Sequence, residues 1–456
     1  MQETLSPRSN PQYFPFSEFL AVLFQSLEAA RVRPCVLRNY EGFPTSNIGN
    51  DIDFLISPSD LPRALRAIRS LNGIRIVGYA ERSYVASVFL EGISRNTNSC
   101  ALEIDFDLSL TWKGLPFLSA EAVLEAAIPR SAGNAAFFTP SPVHEAIISL
   151  FASLLIGGWL KEKYFPQVQH TFAGNSSKVI AALSPQFGLM ASTHLVDAVI
   201  KGNRQRLLAC VRPLRRALLL RSLWHRPVRS IFAILRHYAS EFAFRYSPQT
   251  LETVLILASN GCEKTKVIDA LISRLHSVAA RVEKRMFRPR LPIRRKLQEI
   301  APGQDSHALV SRSSFVFMAY AVLWMMVEWL SQFAKKKSLT LEIRESCYHD
   351  LLINSHRSPF SVPMRFARFI GKFIPSPVLL ILLDPAAEGL QSNYHELPSG
   401  KATWQLEAIH FFVKARIHDV ILDTSQPADI ITEGAYAAII DQLAQRADRK
   451  LGPLRK

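Results

Sequence analysis

The residues best suited to chemistry in this chain lie in Gly49-Asn50-Asp51-Ile52-Asp53-Phe54-Leu55-Ile56, where two carboxylates stand one residue apart at the head of an apolar run. A strand alternates its side chains, so Asp51 and Asp53 share one face while Ile52, Phe54 and Ile56 can face a core. Two acids held side by side repel each other, and the arrangement costs stability unless a cation lies between them. Oxygen donors of this kind suit Mg²⁺ or Mn²⁺. A solvated strand edge or an Asx turn would give the same letters, so the surroundings decide. Downstream, Ala101-Leu102-Glu103-Ile104-Asp105-Phe106-Asp107-Leu108 alternates in the same way. Glu103, Asp105 and Asp107 therefore share one face, and strand parity alone does not separate Asp105 from Asp107 as a third carboxylate.

The elements that must hold these acids follow in order. Residues 1 to 16 read as a loose arm with Pro7, Pro11 and Pro15, and Ser17 is expected to cap a helix with Phe19, Leu20, Leu23, Phe24 and Leu27 in one stripe. A short apolar start at Val36-Leu37 ends in Arg38-Asn39-Tyr40. After the paired acids, Ser59 or Asp60 begins a second helix through Leu61, Leu65, Ile68 and Leu71, which Asn72-Gly73 stops. Strands are expected around Ile74 to Val77 and Tyr84 to Leu90, then the third-acid strand, then a helical segment from His144 to Tyr164.

A strand, a strand carrying Asp51-x-Asp53, and a later strand carrying a third carboxylate together resemble the nucleotidyltransferase superfamily that includes polymerase-β-like and minimal nucleotidyltransferases. The likeness is closest to the nucleotidyltransferase-like proteins often encoded among bacterial surface-polysaccharide genes. The resemblance implies that Asp51, Asp53 and Asp105 hold metal and perform catalysis, with Asp107 competing for third place. The superfamily's Gly-Ser turn before the acid pair is replaced here by Arg38-Asn39, so the implied phosphate contacts fall to Arg38, Gly49 and Asn50.

A chain of 456 residues is too long for one ordinary core and predicts about two domains. Apolar residues at 48% and charged residues at 20% exclude a disordered chain, and a net charge of +16 points to polyanionic partners. Five separated cysteines with no Cys-x-x-Cys pair argue against a disulfide framework or a zinc site and for a reducing, cytoplasmic setting. The N-terminal residues lack the basic and apolar blocks of a signal peptide, and the longest apolar run, Phe315 to Val327, falls short of the roughly 20 residues a spanning helix needs. From Lys201 to His237 there is no Asp or Glu, but there are Lys201, Arg204, Arg206, Arg212, Arg215, Arg216, Arg221, Arg226, Arg229 and Arg236 with leucines between. This stretch reads either as a cationic helical linker with a solvated face or as a docking segment for an anionic membrane surface or another polyanion. Pro213 and Pro227 are expected to interrupt its helical pattern.

In the second half, Thr253 to Leu257 has the length and apolarity of a buried parallel strand. It runs into Ala258-Ser259-Asn260-Gly261-Cys262-Glu263-Lys264-Thr265 and then a helix through Val267, Ile268 and Leu271, the setting of a phosphate-binding loop with Lys264 and Thr265 in its last two places. Together with Arg288 to Pro292, Glu345 to Leu352, Pro375 to Glu388 and Val420 to Ser425, this half resembles thymidylate-kinase-like proteins over about residues 250 to 450. Its departures bear on activity. Glu263 stands for the second loop glycine, the family's Asp-Arg is Glu345-Ser346, and the lid's cations are missing from Asn393-Tyr394-His395-Glu396. A carboxylate about 5 Å from a phosphate oxygen at an effective dielectric near 20 costs about 3 kcal/mol. Phosphoryl transfer needs positioned cations, so this half is expected to be a pseudokinase.

The sequence therefore predicts an α/β protein with an N-terminal mixed-sheet nucleotidyltransferase-like domain over 17–165, a basic helical linker region over 166–248, and a C-terminal parallel-sheet, phosphate-loop kinase-like domain over 249–450. The expected activity is Mg²⁺- or Mn²⁺-dependent nucleotidyl transfer from a nucleoside triphosphate to a hydroxyl or phosphate acceptor. The alternatives are an ATP-using thymidylate-kinase-like nucleotide kinase and a non-catalytic nucleotide-binding scaffold. The expected location is cytoplasmic, peripheral to a membrane if the basic stretch docks there.

Overall fold

The computed structural model describes residues 16–44, 51–92, 100–133, 135–246, 251–258, 264–276, 278–279, 281–285, 340–345, 378–384 and 420–452, with positions 323 and 327. The chain is α/β and divides into two compact units, residues 1–244 with 446–456, and residues 245–445.

The first unit is built on a mixed sheet. Its elements begin with α1 (Phe16–Ala29), β1 (Cys35–Val36), β2 (Asp51–Leu55), α2 (Leu61–Arg69), β3 (Ile74–Arg82), β4 (Val85–Gly92) and β5 (Cys100–Asp107). A small hairpin, β6 (Thr111–Trp112) and β7 (Leu115–Pro116), and α3 (Ala120–Glu125) follow, before β8 (Ile128–Ala132) and β9 (Ala135–Thr139). The seven-stranded sheet runs in the order β3-β4-β5-β2-β1-β9-β8. Within it β2 and β5 are parallel neighbours, while β4 meets β5 and β1 meets β2 antiparallel.

Alternation along β2 and β5 does what the sequence pattern requires. Ile52, Phe54, Ile56, Leu102, Ile104 and Phe106 join one core with the buried stripe of α1 and with Leu61, Leu65 and Ile68 of α2. Phe54 lies tilted against Phe106 at 5.6 Å and meets Phe24 edge-on at 5.7 Å. The helix expected to run through Leu71 to Asn72-Gly73 ends earlier, at Arg69 with Ser70 as its cap, and Gly73, with φ of +78°, lies in the turn that leads into β3. The opposite strand face carries the acids, and Leu55 on that face belongs to a second core.

That second core is helical. It gathers residues of α4 (Pro142–Phe151), α5 (Phe165–Gly174), α6 (Ser176–Phe187), α7 (Leu189–Ile200) and α8 (Arg204–His225), and α9 (Pro227–Tyr246) ends the series. Much of the stretch read as a linker thus packs inward: Leu207, Val211, Leu214 and Leu218 of α8 are buried beside Leu37, Leu55 and Phe151. The expectation that both prolines break the helices fails for Pro213, which lies inside α8, whereas Pro227 opens α9. An interior proline costs a helix about 3 kcal/mol, and the four buried side chains on the same helix offset it. The continuous helix expected from His144 to Tyr164 is also broken. A π-helical turn at Ala152–Gly157 and a left-handed Gly158 with φ of +76° end it, and a 3₁₀ turn at Glu162–Tyr164 follows.

The second unit has a five-stranded sheet, all parallel, in the order β11-β12-β10-β13-β14. Its strands are β10 (Leu251–Ala258), β11 (Arg281–Arg285), β12 (Thr340–Arg344), β13 (Leu379–Asp384) and β14 (Val420–Asp423). The central β10 is the continuous apolar run, buried from Val254 to Leu257, and α10 (Lys264–Leu275) follows it with Val267, Ile268, Leu271 and Leu275 buried. The last helix, α11 (Ala428–Leu451), starts in this unit, and its final residues Ala447 and Leu451 lie in the core of α1 and α2. Among the described residues, no helix is long and apolar enough to cross a membrane.

Candidate metal centre

Parallel pairing of β2 with β5 sets the site. The register places Asp51 opposite Glu103, Asp53 opposite Asp105 and Leu55 opposite Asp107, all on the face away from α1 and α2. One carboxylate oxygen from each of Asp51, Asp53 and Asp105 lies within 4.8 Å of the other two. The choice that parity left open is thereby narrowed by geometry: Asp107 is across from an apolar residue of the helical core, and Asp105 is across from Asp53.

The local electrostatics are those of crowded like charges. Burial and then the neighbouring Asp53 push the Asp51 carboxyl above its usual range. The Asp105 carboxyl is also raised, mainly by burial, although a hydrogen bond from Ser87 opposes the shift. Glu103, on the same strand face, is lifted to about 7 by burial and by the charges of Asp105 and Asp51. Asp107 is raised well above the ordinary carboxylate range by burial, with Asp53 and Asp105 adding to it. Acids crowded in this way on one face repel one another, and a cation placed among them would relieve the repulsion.

Two groups already reduce the repulsion. Arg38, just past β1, donates from Nε to Asp53 Oδ2 at 2.6 Å, and it is itself held charged against burial by Asp53 and Asp51. Ser87, the register partner of Asp105 on β4, donates from Oγ to Asp105 Oδ1 at 2.5 Å. The segment bearing Arg38 is fixed residue by residue. Asn39 takes a left-handed conformation with φ of +62°, one that asparagine tolerates, and its Oδ1 accepts a hydrogen bond from Tyr164 at 2.6 Å. Tyr40 donates to Glu145 Oε2 of α4 at 2.9 Å. The break after Gly158 serves the site, because the turn that follows brings Tyr164 to Asn39 and Lys161 within electrostatic reach of Asp51.

The donor set fits a divalent cation by its chemistry. Three carboxylates converge, none is matched by a histidine or thiolate, and two stay partly open to solvent while Asp53 is buried. Hard oxygen donors in this number suit Mg²⁺ or Mn²⁺ better than softer metals.

Of the residues predicted from sequence, Asp51, Asp53, Asp105 and Arg38 come together, whereas Gly49 and Asn50 lie outside the described residues. Lys264 and Thr265 belong to the second unit, at the start of α10. There Lys264 Nζ donates to the backbone carbonyl of Glu345, and Thr265 Oγ1 donates to Glu345 Oε1 at 3.2 Å. The loop residues 259–263, the segments Arg288 to Pro292 and Tyr348 to Asp350, and the lid letters Asn393 to Glu396 also lie outside the described residues. Sequence reasoning missed Ser87, Lys161 and Tyr164. Ser87 had a legible signal, being a polar residue on the strand face opposite Ala86, Val88 and Leu90. Lys161 and Tyr164 had none, since a turn after a broken helix brings them in.

No protein-family model and no curated protein matches this chain.

Proposed function

We propose that the first unit is a nucleotidyltransferase that moves a nucleotidyl group from a nucleoside triphosphate to a hydroxyl or phosphate acceptor. The observation that carries this reading is the convergence of Asp51, Asp53 and Asp105 within 4.8 Å across two parallel strands. These three residues would hold Mg²⁺ or Mn²⁺, which supplies charge neutralisation at the reacting phosphate and its leaving group. Arg38 is the cation placed to follow the triphosphate: it sits on Asp53 and can exchange that carboxylate for a phosphate oxygen. Lys161 adds positive potential on the Asp51 side. Asp105 keeps one oxygen fixed by Ser87, leaving the other to take the acceptor's proton. As that proton moves, the acceptor oxygen bonds to the α-phosphorus, the α–β bridging bond breaks and pyrophosphate departs.

A non-catalytic role for the second unit accompanies this reading. What supports it is that Lys264 and Thr265, the two phosphate-loop residues that survive in the sequence, are both engaged by Glu345. The test is calorimetric titration of each nucleoside triphosphate, with and without Mn²⁺, into the wild type, the Asp51→Ala with Asp53→Ala variant, and Lys264→Ala. Metal-dependent binding that disappears only in the double aspartate variant is the expected result. Loss confined to Lys264→Ala would replace this reading with a kinase.

A further inference from the structure

The helix α9 is amphipathic the wrong way round for a helix on a solvated surface. Its inner side is firmly seated. The carbonyl of Ala233 lies 2.4 Å from where a Cβ on Gly114 would stand, so the β6–β7 turn meets α9 backbone to backbone. Ser83 Oγ donates to the Arg236 carbonyl at 3.1 Å, Ser230 Oγ donates to the Ser222 carbonyl at 2.8 Å, and Arg82 covers the Phe244 ring at 4.9 Å. With that side fixed, the outer side is fixed too, and it is apolar. Val228, Ile231, Phe232 and Leu235 are each more than half exposed, and Trp224, at the end of α8, is 85% exposed. The spacing of three and four residues puts the four α9 side chains on one stripe. Arg229 borders one edge of that stripe by the same helical geometry, Arg226 lies at its N-terminal end, Arg236 is turned onto the Tyr84 ring at 5.8 Å, and no acid occurs between residues 201 and 240.

We infer that this face of α9 docks on an anionic lipid surface. A helix of 20 residues is about 30 Å long, and lying flat it would sink its apolar stripe below the headgroups while the arginines meet lipid phosphates. Indole rings such as that of Trp224 favour the same boundary. Charge decides between the occupants. A second copy would join two chains that each carry +16, and this face offers no acid between residues 201 and 240 to pair with Arg226 and Arg229, so self-association opposes its own electrostatics. A nucleic acid would use the arginines but gain nothing from Val228, Ile231 and Leu235.

The experiment is flotation of the full chain with vesicles of phosphatidylcholine alone, or with about one third phosphatidylglycerol, at low and high salt. The wild type should float with the anionic vesicles at low salt and stay behind with the neutral ones. Phe232→Ser with Leu235→Ser, both on the solvent side, should lower vesicle affinity at least about tenfold with an unchanged melting temperature. Arg226→Gln with Arg229→Gln should weaken it severalfold and flatten its salt dependence. Brominated lipid should quench the wild type more than Trp224→Phe, a readout that holds even if the double serine variant fails to fold. Flotation unchanged by the serine pair, equal flotation with neutral vesicles, or no flotation at all would overturn the inference. So would a lipid-free dimer that the serine pair makes monomeric, or binding of DNA fragments without binding of vesicles.

Discussion

The two units treat charge in opposite ways. On the first sheet, Asp51, Asp53 and Asp105 converge with Arg38 bonded to Asp53, and the carboxyls of Asp51, Asp105, Glu103 and Asp107 are all raised. In the second unit, the lysine and threonine expected to meet a phosphate are met by Glu345, through its carbonyl and its carboxylate, with Lys284 3.7 Å from the other oxygen of that carboxylate. A site prepared for an ion keeps an imbalance for the ion to remove. A site that has lost its ligand tends to cancel its own charges, because a buried unpaired group costs more than an internal pair. The comparison therefore makes the first unit the place to test for ion-dependent chemistry.

The largest effects should come from separating Asp51 from Asp53. Asp51→Asn with Asp53→Asn should cut Mn²⁺ affinity by more than about 100-fold, read by calorimetry or by the electron paramagnetic signal of free Mn²⁺. The single variants should diverge in metal-free stability. Asp51→Asn removes a repelled charge and should leave stability unchanged or slightly higher. Asp53→Asn strips Arg38 of its partner and should cost about 2 kcal/mol, measured by urea unfolding. Equal destabilisation by both substitutions would mean that the cluster is not held under repulsion.

A smaller effect is expected one shell out. Ser87→Ala frees one oxygen of Asp105 to rotate, and metal affinity should fall about tenfold while unfolding free energy changes by no more than about 1 kcal/mol. Ser87→Thr keeps the donor and should recover most of the affinity. If alanine and threonine behave alike, the 2.5 Å contact with Asp105 has no part in holding the site.

How far the sequence carried this comparison depended on the range of the interactions. Alternation of acids and apolar residues gave the acid face and its opposite core before any tertiary contact was known, because strand parity is a local property. The buried stripe of α1 and the central strand β10 were legible for the same reason. Parity could not rank Asp105 over Asp107, since that choice is made by the register of β5 against β2, a pairing between segments about 50 residues apart. Nor could it show Lys161 and Tyr164, which depend on how the chain turns after Gly158, or Pro213 inside a helix stabilised by the core beneath it. The interior of α8 and the exposed apolar face of α9 carried similar letters, and only packing told them apart.

The second unit offers the converse test. Glu345→Gln keeps the carbonyl that receives Lys264 but removes the anion beside Thr265. If self-neutralisation is what fills this place, the substitution should raise affinity for inorganic pyrophosphate a few-fold, seen as a small upward shift in melting temperature with added pyrophosphate. A similar gain in the wild type, or its persistence in Glu345→Gln with Lys264→Ala, would mean that the added anion binds elsewhere.

The smallest effect sharpens the comparison through pH. Burial, then Asp105 and Asp51, lift Glu103 to about 7 from an ordinary value of 4.5. The folded chain therefore keeps this proton over a range in which the unfolded chain has released it. The resulting stabilisation is complete below about pH 4.5 and is lost as pH rises through about 7, so stability falls with pH in the metal-free protein. The raised carboxyls of Asp51 and Asp105 act in the same direction. The melting temperature of the metal-free chain should drop by a few degrees between about pH 6 and 8, and Glu103→Gln should make that slope shallower. Added Mn²⁺ should reverse the trend, because a cation binds the ionised cluster best and its stabilisation grows as the protons leave. A melting temperature that rises with pH in the absence of metal would contradict the crowding of acids on which the first site is argued.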